Sequence, residues 1–286
     1  MVLEWLSELR AAGVGRQERR IQLKKSIDAV ARGGMDLSAS PSGQSWAVIA
    51  ATRILVDILS GRGPSRASSA AKRAHEFFET SLKNNPSKHR IECAKGCAFC
   101  CHVSVTATAP EIFLVANSIR QQYKDNFEQV LTRVRAADQK TRGLDSMERA
   151  KNRIPCALLD GNVCSVYGAR PGACRGFTST SVKACERGFN GEDVQIYTPS
   201  VWTHLRNAHK QAIWAALAAA ELPAERYEFH HALLVALETP DAESRWLKGE
   251  ELFAGVAREM ESPAETAHNR KIIDTLVAGA LGREIP

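Results

Sequence analysis

All eight cysteines of this 286-residue chain lie between Cys93 and Cys185. They fall in two groups. The first is Cys93-Ala-Lys-Gly-Cys97-Ala-Phe-Cys100-Cys101; the second, after a charged segment, is Cys156, Cys164, Cys174 and Cys185. Cysteine used only as a small buried hydrophobe would be scattered through several core elements, so the clustering points to shared chemistry. Disulfides suit small secreted domains that lack core. This chain is long, and its charged, amphipathic opening, Met1-Val-Leu-Glu-Trp-Leu-Ser-Glu-Leu-Arg10, does not read as a secretory leader. A lone nucleophile needs no seven companions. Ligation of a metal ion or an iron–sulfur cluster is the expected chemistry, because thiolates a few residues apart on a turn converge on one soft cation.

The spacing carries the same expectation. Gly96 allows a tight turn before Cys97, whose backbone N–H groups can face sulfur. Cys97 and Cys100 have the two-residue spacer common to zinc knuckles and iron–sulfur loops. Neighbouring side chains point apart, so the vicinal Cys100 and Cys101 serve two centres, or two corners of one large cluster, more readily than one zinc ion. Eight thiols allow two four-cysteine sites without requiring every thiol to ligate. The vicinal pair and the thiol excess tilt the expected cofactor toward an iron–sulfur cluster over zinc.

The run Cys93-x3-Cys97-x2-Cys100-Cys101, then Cys156-x7-Cys164, then Tyr167-Gly-Ala-Arg170-Pro171-Gly-Ala-Cys174-Arg175, resembles the YkgJ-type cysteine-cluster family of zinc- or iron-chelating proteins. The likeness covers Cys93 to Cys185. It implies metal ligation by Cys93, Cys97, Cys100, Cys101, Cys156, Cys164, Cys174 and Cys185. Arg170 and Arg175, inside the motif, are expected to support the site from behind the sulfur ligands. Two departures stand out: the first spacer has three residues where the family label has two, and Ala157 stands where proline often follows the cysteine.

The formal charge of +6 permits an acidic partner without demanding one. Four thiolates around one zinc leave a local charge of minus two, and Lys95, Arg170, Arg175, Lys183 and Arg187 lie nearby in sequence; Lys95, Lys183 and Arg187 read as solvated surface cations. No apolar run reaches the ~20 residues of a spanning helix. A reducing cytoplasm is the expected compartment.

The periodicity predicts a mainly α protein: a helical body around an irregular, cysteine-rich metal-binding segment with at most a short β-hairpin. Three regions are expected: an N-terminal helical region over 1–85, the cysteine region with a helical insertion over 86–195, and a C-terminal helical region over 196–286. Leu3, Leu6, Leu9, Ile21, Ile27 and Val30 mark the first helical stretch, which Gly13 and Gly15 interrupt; its basic residues lack the interleaved aromatics of a nucleic-acid platform. Residues 33–45 read as a connection. Helices are expected from Trp46 to Leu59 and from Ala67 to Leu82, with His75 on the polar face of the latter. Thr108-Ala-Pro110-Glu111 is a capping box for a helix carrying Ile112, Phe113, Val115, Ala116 and Ile119, whose N-terminal dipole would favour the nearby thiolates. Val130, Leu131 and Val134 stripe the charged helical hairpin that brings Cys156 back. Asp160-Gly161-Asn162 predicts a tight hairpin turn. Pro199, Pro223, Pro240 and Pro263 precede helices, the last with a second capping box at Ser262 and Glu265. Trp202, Leu205, Ile213, Trp214 and Leu217 are expected to pack against Leu233, Leu234 and Leu237.

Among histidines, His102 is the first candidate for completing a thiolate site, whereas His204, His209, His230 and His231 read as ordinary partly buried residues. No Walker loop, dinucleotide fingerprint, His-Glu-x-x-His or Gly-x-Ser-x-Gly is present. Three functions fit. The first is a metal-binding module folded around its ion. The second is an S-adenosylmethionine-dependent methyltransferase resembling the flagellin lysine methylases, which carry a similar cluster. The third is a helical protein that binds another protein and keeps only a structural zinc. The sequence does not decide whether the chain is an enzyme.

Overall fold

The structure is a computed structural model that describes residues 13, 15–39, 41–259 and 262–282. The helical reading of Leu3, Leu6 and Leu9 lies outside the described residues. Helix α1 (Arg16–Gly33) starts directly after Gly15 and stops at Gly34. Gly34 has a φ of 79°, and a Cβ there would stand 2.6 Å from Ser81 Oγ. That close approach lets the neighbouring Met35 N–H donate to Ser81 Oγ at 2.7 Å, a contact no larger residue at 34 would permit. Helix α2 (Pro41–Leu59) begins five residues before the expected Trp46. The polar residues read as a connection form its first turn, where proline suits the helix start. Gln44 secures the turn by donating to the carbonyls of Leu37 and Ala39. Helix α3 (Arg66–Asn84) buries Ala67, Ala70, Ala71, Ala74, Phe77 and Phe78 on one face. His75 is on that face too, 3% exposed and stacked 5.2 Å from His209, so its expected place on the polar face is corrected.

After the first cysteine group come β1 (Thr106–Thr108), α4 (Ala109–Gln122), α5 (Phe127–Thr141) and the short α6 (Ser146–Lys151). A hairpin of β2 (Leu159–Asp160) and β3 (Val163–Cys164) leads to α7 (Gly172–Gly176) and α8 (Val182–Phe189). The chain ends with α9 (Ser200–Ala219), β4 (Arg226–Glu228), α10 (Phe229–Glu238), α11 (Ala242–Trp246) and α12 (Pro263–Ala280). The protein is mainly helical, with two short antiparallel strand pairs among the described residues. The capping boxes at Thr108/Glu111 and Ser262/Glu265 both form.

Contacts divide the chain into two compact units, neither of them contiguous. One comprises the described residues within 1–86, 204–224 and 260–286. In it α2 packs against α1, α3 and α12; Gly279 of α12 lies against buried Ile49, and Arg53 donates to Ala280 O at 3.0 Å. The other unit comprises residues 87–203 and 225–259. In it β1 pairs with β4 in the register Thr106↔Glu228, Ala107↔Tyr227, Thr108↔Arg226. This second pair goes beyond the single expected hairpin. Pro223 therefore leads into a strand, not a helix, because the partner that makes 226–228 extended lies over a hundred residues away. Within this unit α10, which carries Leu233, Leu234 and Leu237, packs against α4 and α5. Phe113, Trp246, Phe253 and Tyr227 form a chain of aromatic contacts beneath them.

Candidate metal centre

Each cysteine is held by a local device. Gly96, at φ 96°, closes a turn in which Cys97 N–H donates to Ala94 O, and a 3-10 turn over Phe99–His102 follows. Cys156 N–H donates to Cys101 O at 2.8 Å, so a backbone bond joins the early thiols to the late ones. Gly161 and Asn162, with φ of 51° and 64°, supply the two left-handed positions of the hairpin turn that brings Cys164 beside Leu159. The Arg170 guanidinium stacks 3.5 Å from the Tyr167 ring centroid, and buried Arg175 donates to the carbonyls of Arg170 and Gly168. Both arginines of the motif thus clamp the turn that presents Cys174. Ahead of that cysteine, Gly172 N–H donates at 2.7 Å to Glu111, whose other oxygen caps α4 by accepting from the Thr108 amide and hydroxyl. Glu111 already serves the N-terminus of α4, and the first turn of α4 contributes no residue to the walls around the thiols.

Six cysteines, Cys97, Cys100, Cys101, Cys156, Cys164 and Cys174, line one cavity of about 170 Å³. All eight are free thiols. Cys93 and Cys185 stand outside the cavity wall and share Ser179, which is 1% exposed. Its amide donates to Cys93 Sγ at 3.2 Å, and its hydroxyl lies against the Cys185 thiol. Helix α8, which carries Cys185, is fastened to the first cysteine group because Val182 N–H donates to the Glu92 carboxylate and Glu92 N–H to Ser179 O.

A repeated backbone pattern prepares the sulfurs for charge. The amides of Phe99, Leu158 and Val166 reach back to the thiols of Cys97, Cys156 and Cys164, each two residues earlier, and favour the thiolate. Burial opposes them. It raises the Cys97, Cys164, Cys174 and Cys185 thiols above their ordinary range and pushes Cys156 up to about 11. Cys100 is raised chiefly by its hydrogen bond with Cys101, then by burial. A cation bound among these thiols would favour the charged forms that burial disfavours, because thiolate and not thiol is the ligand.

Sequence reasoning missed a buried polar network behind these thiols. Arg149 of α6 is 3% exposed and lines the cavity. It pairs with Glu228 at 3.3 Å and lies 3.4 Å from His230 Nε2, and the charges of Cys156 and Cys174 act on it. Burial, then Arg149, depresses His230 to about 3, so the imidazole is neutral. Its Nε2 accepts from Ala157 N–H at 3.2 Å, which assigns its proton to Nδ1, facing the Thr141 hydroxyl. Ala157 is the position where the resembling family often has proline, and the amide that proline would lack is in use here. Arg149 sits in an ordinary charged helical stretch, so no local signal marked it.

His102 is not brought to the cavity; its Nδ1 lies 3.1 Å from Ala98 O and its ring packs on Phe189. Lys95 is exposed at the cavity rim, Lys183 is exposed, and Arg187 pairs with Glu192 at the surface. No carboxylate or imidazole lines the cavity, so its donor set is all sulfur and fits zinc or iron–sulfur chemistry over harder ions.

Among the described residues, no helix is long and apolar enough to cross a membrane. No curated protein and no solved structure matches the chain. Residues 92–198 match the model of the CxxCxxCC family, whose description is "Putative zinc- or iron-chelating domain". The match spans both cysteine groups together with the Tyr167–Arg175 motif, and over those residues the chain is similar to this cysteine-cluster family.

Proposed function

We propose that this protein holds an iron–sulfur cluster through clustered thiolates in the unit formed by residues 87–203 and 225–259, with zinc as the competing occupant. The observation that carries the reading is the cavity itself: six cysteines line one space of about 170 Å³. A single tetrahedral zinc takes four thiolates at about 2.3 Å, which draws the sulfurs to within about 3.8 Å of one another and leaves two donors and most of that space unused. A polynuclear cluster uses both. The ligands come from Cys93, Cys97, Cys100, Cys101, Cys156, Cys164, Cys174 and Cys185, and Arg170 and Arg175 hold the turn behind Cys174. Metal binding then couples to folding, because two distant chain segments close on one inorganic group. Anaerobic purification, followed by iron, sulfide and zinc determination and a visible spectrum, tests the reading. A brown protein with equimolar iron and sulfide supports it. A colourless chain with stoichiometric zinc makes zinc the occupant, and a chain that takes up neither metal refutes chelation.

A further inference from the structure

The wall of the sulfur cavity carries positive charge. Lys95, Arg149 and Arg170 line it, and no carboxylate does. Glu228, outside that lining, balances Arg149 at 3.3 Å, whereas neither Lys95 nor Arg170 pairs with a carboxylate among the described residues. Arg149 also has donors to spare. It is 3% exposed; Nη1 donates to Glu228 and Nη2 lies against His230, while Nε has no hydrogen-bond partner among the described residues. A guanidinium offers donors alone, so whatever completes it is an acceptor. The thiols, meanwhile, are spread out. No three cysteine sulfurs lie within 4.8 Å of one another among the described residues. A single zinc draws its thiolates to about 3.8 Å, so no set of these sulfurs stands ready for one ion. A hydrated divalent cation therefore meets a positive wall, no carboxylate to hold it first and no preformed nest of sulfur.

We infer that the cavity takes up its inorganic group as a preformed anion, an iron–sulfur cluster ligated by small-molecule thiolates that the cysteines displace one after another; this rests on the iron–sulfur reading above. Each displacement forms one bond from iron to a cysteine Sγ and breaks one bond from iron to the small thiolate. The cysteine's proton leaves with the departing thiolate as a free thiol, and no electron moves. A doubly positive four-iron core held by four thiolates is a dianion. The exposed Lys95 at the rim draws such an ion in, and Arg170 and the buried Arg149 receive it at the wall.

The probes are two synthetic four-iron clusters of equal size and opposite charge, one carrying 2-mercaptoethanolate ligands and the other protonated cysteamine ligands. Each is mixed anaerobically with the metal-free full chain. Transfer is followed by the circular dichroism that an achiral cluster acquires inside the protein, and by iron per chain after desalting. At low salt the anionic cluster should enter at least about tenfold faster than the cationic one, the lower end of electrostatic steering, and added salt should close the gap. Lys95→Glu should narrow the gap severalfold. Lys24→Glu makes the same charge change on an exposed helix of the other unit and should leave the gap as it is. Equal rates for the two clusters in wild type, a comparison that needs no variant to fold, overturn the inference. So does Lys24→Glu narrowing the gap as much as Lys95→Glu, because net charge and not the cavity wall would then be responsible. A chain that builds a cluster from ferrous ion and sulfide yet refuses the anionic cluster overturns the inference while the iron–sulfur reading stands. A chain that acquires a cluster by neither route removes both.

Discussion

Replacing Arg149 by glutamine separates the structural part of its role from its electrostatic part. In the metal-free chain the change removes the 3.3 Å pair with Glu228. Breaking a buried pair costs about 3–5 kcal/mol. The low end applies, because Glu228 keeps 15% exposure and still caps α10 by accepting from His231 N–H. Against this, Arg149 Nε is buried with no hydrogen-bond partner among the described residues, and removing it relieves roughly 1–3 kcal/mol of desolvation. The net expectation for the metal-free chain is a loss of about 0–2 kcal/mol. With metal bound, the Cys156 and Cys174 sulfurs carry charge that acts on Arg149. Unit charges a few ångströms apart in a medium of effective dielectric about 20 contribute about 2–4 kcal/mol, so the loaded protein should lose at least twice as much stability as the empty one. Anaerobic urea unfolding of wild type and Arg149→Gln, with and without metal, measures the four free energies. Arg149→Lys should recover most of the metal-dependent part, since it keeps the charge and loses only the fork. Equal losses in loaded and empty protein would refute the reasoning, because the arginine would then be packing the fold without neutralising sulfur.

Three further outcomes are expected. The Cys156 thiol, raised by burial from 9.0 to about 11, binds its proton more tightly in the folded than in the unfolded chain; metal-free protein is thus fully stable toward this group below pH 9 and loses on the order of 3 kcal/mol as pH rises through 11, which unfolding at graded pH detects. Ala157→Pro removes the amide that His230 Nε2 accepts and should destabilise the second unit by about 1–3 kcal/mol, read by thermal unfolding, whereas Ala157→Gly should cost under about 1 kcal/mol. Gly34→Ala places a Cβ 2.6 Å from Ser81 Oγ at a φ of 79° and should lower the stability of the other unit by about 1–3 kcal/mol while leaving metal stoichiometry unchanged, a check by elemental analysis on the separateness of the two cores.

What could be read directly from the chain was whatever is encoded locally. The Thr108/Glu111 and Ser262/Glu265 caps, the Asp-Gly-Asn turn and the apolar stripe of α4 each need only a few adjacent residues, and each forms. The cavity-lining role of six cysteines followed from thiol clustering, which no helical or strand period disguises. The strand 226–228 was invisible because its extended form is imposed by β1, far away in sequence. Arg149 was invisible for the same reason: in Ser146–Lys151 it looks like any solvated helical cation, and only Glu228 and His230, arriving from β4 and α10, bury it. His75 misled because one histidine among charged neighbours reads as surface, while a stacking partner at His209 can be seen only in three dimensions.

The pairing of β1 with β4 sets a schedule for the nascent chain. Phe229 closes one wall of the sulfur cavity, and Glu228 and His230 grip Arg149, yet all three leave the ribosome after the last cysteine has emerged. During that interval the six cavity cysteines lack the wall that Phe229 provides. The same order means that a fragment cut at the borders of the family match, residues 92–198, lacks strand β4 and helix α10 and should take up added zinc or iron more poorly than the full chain. The cavity wall is therefore completed by a segment that follows the last cysteine and contributes no sulfur at all.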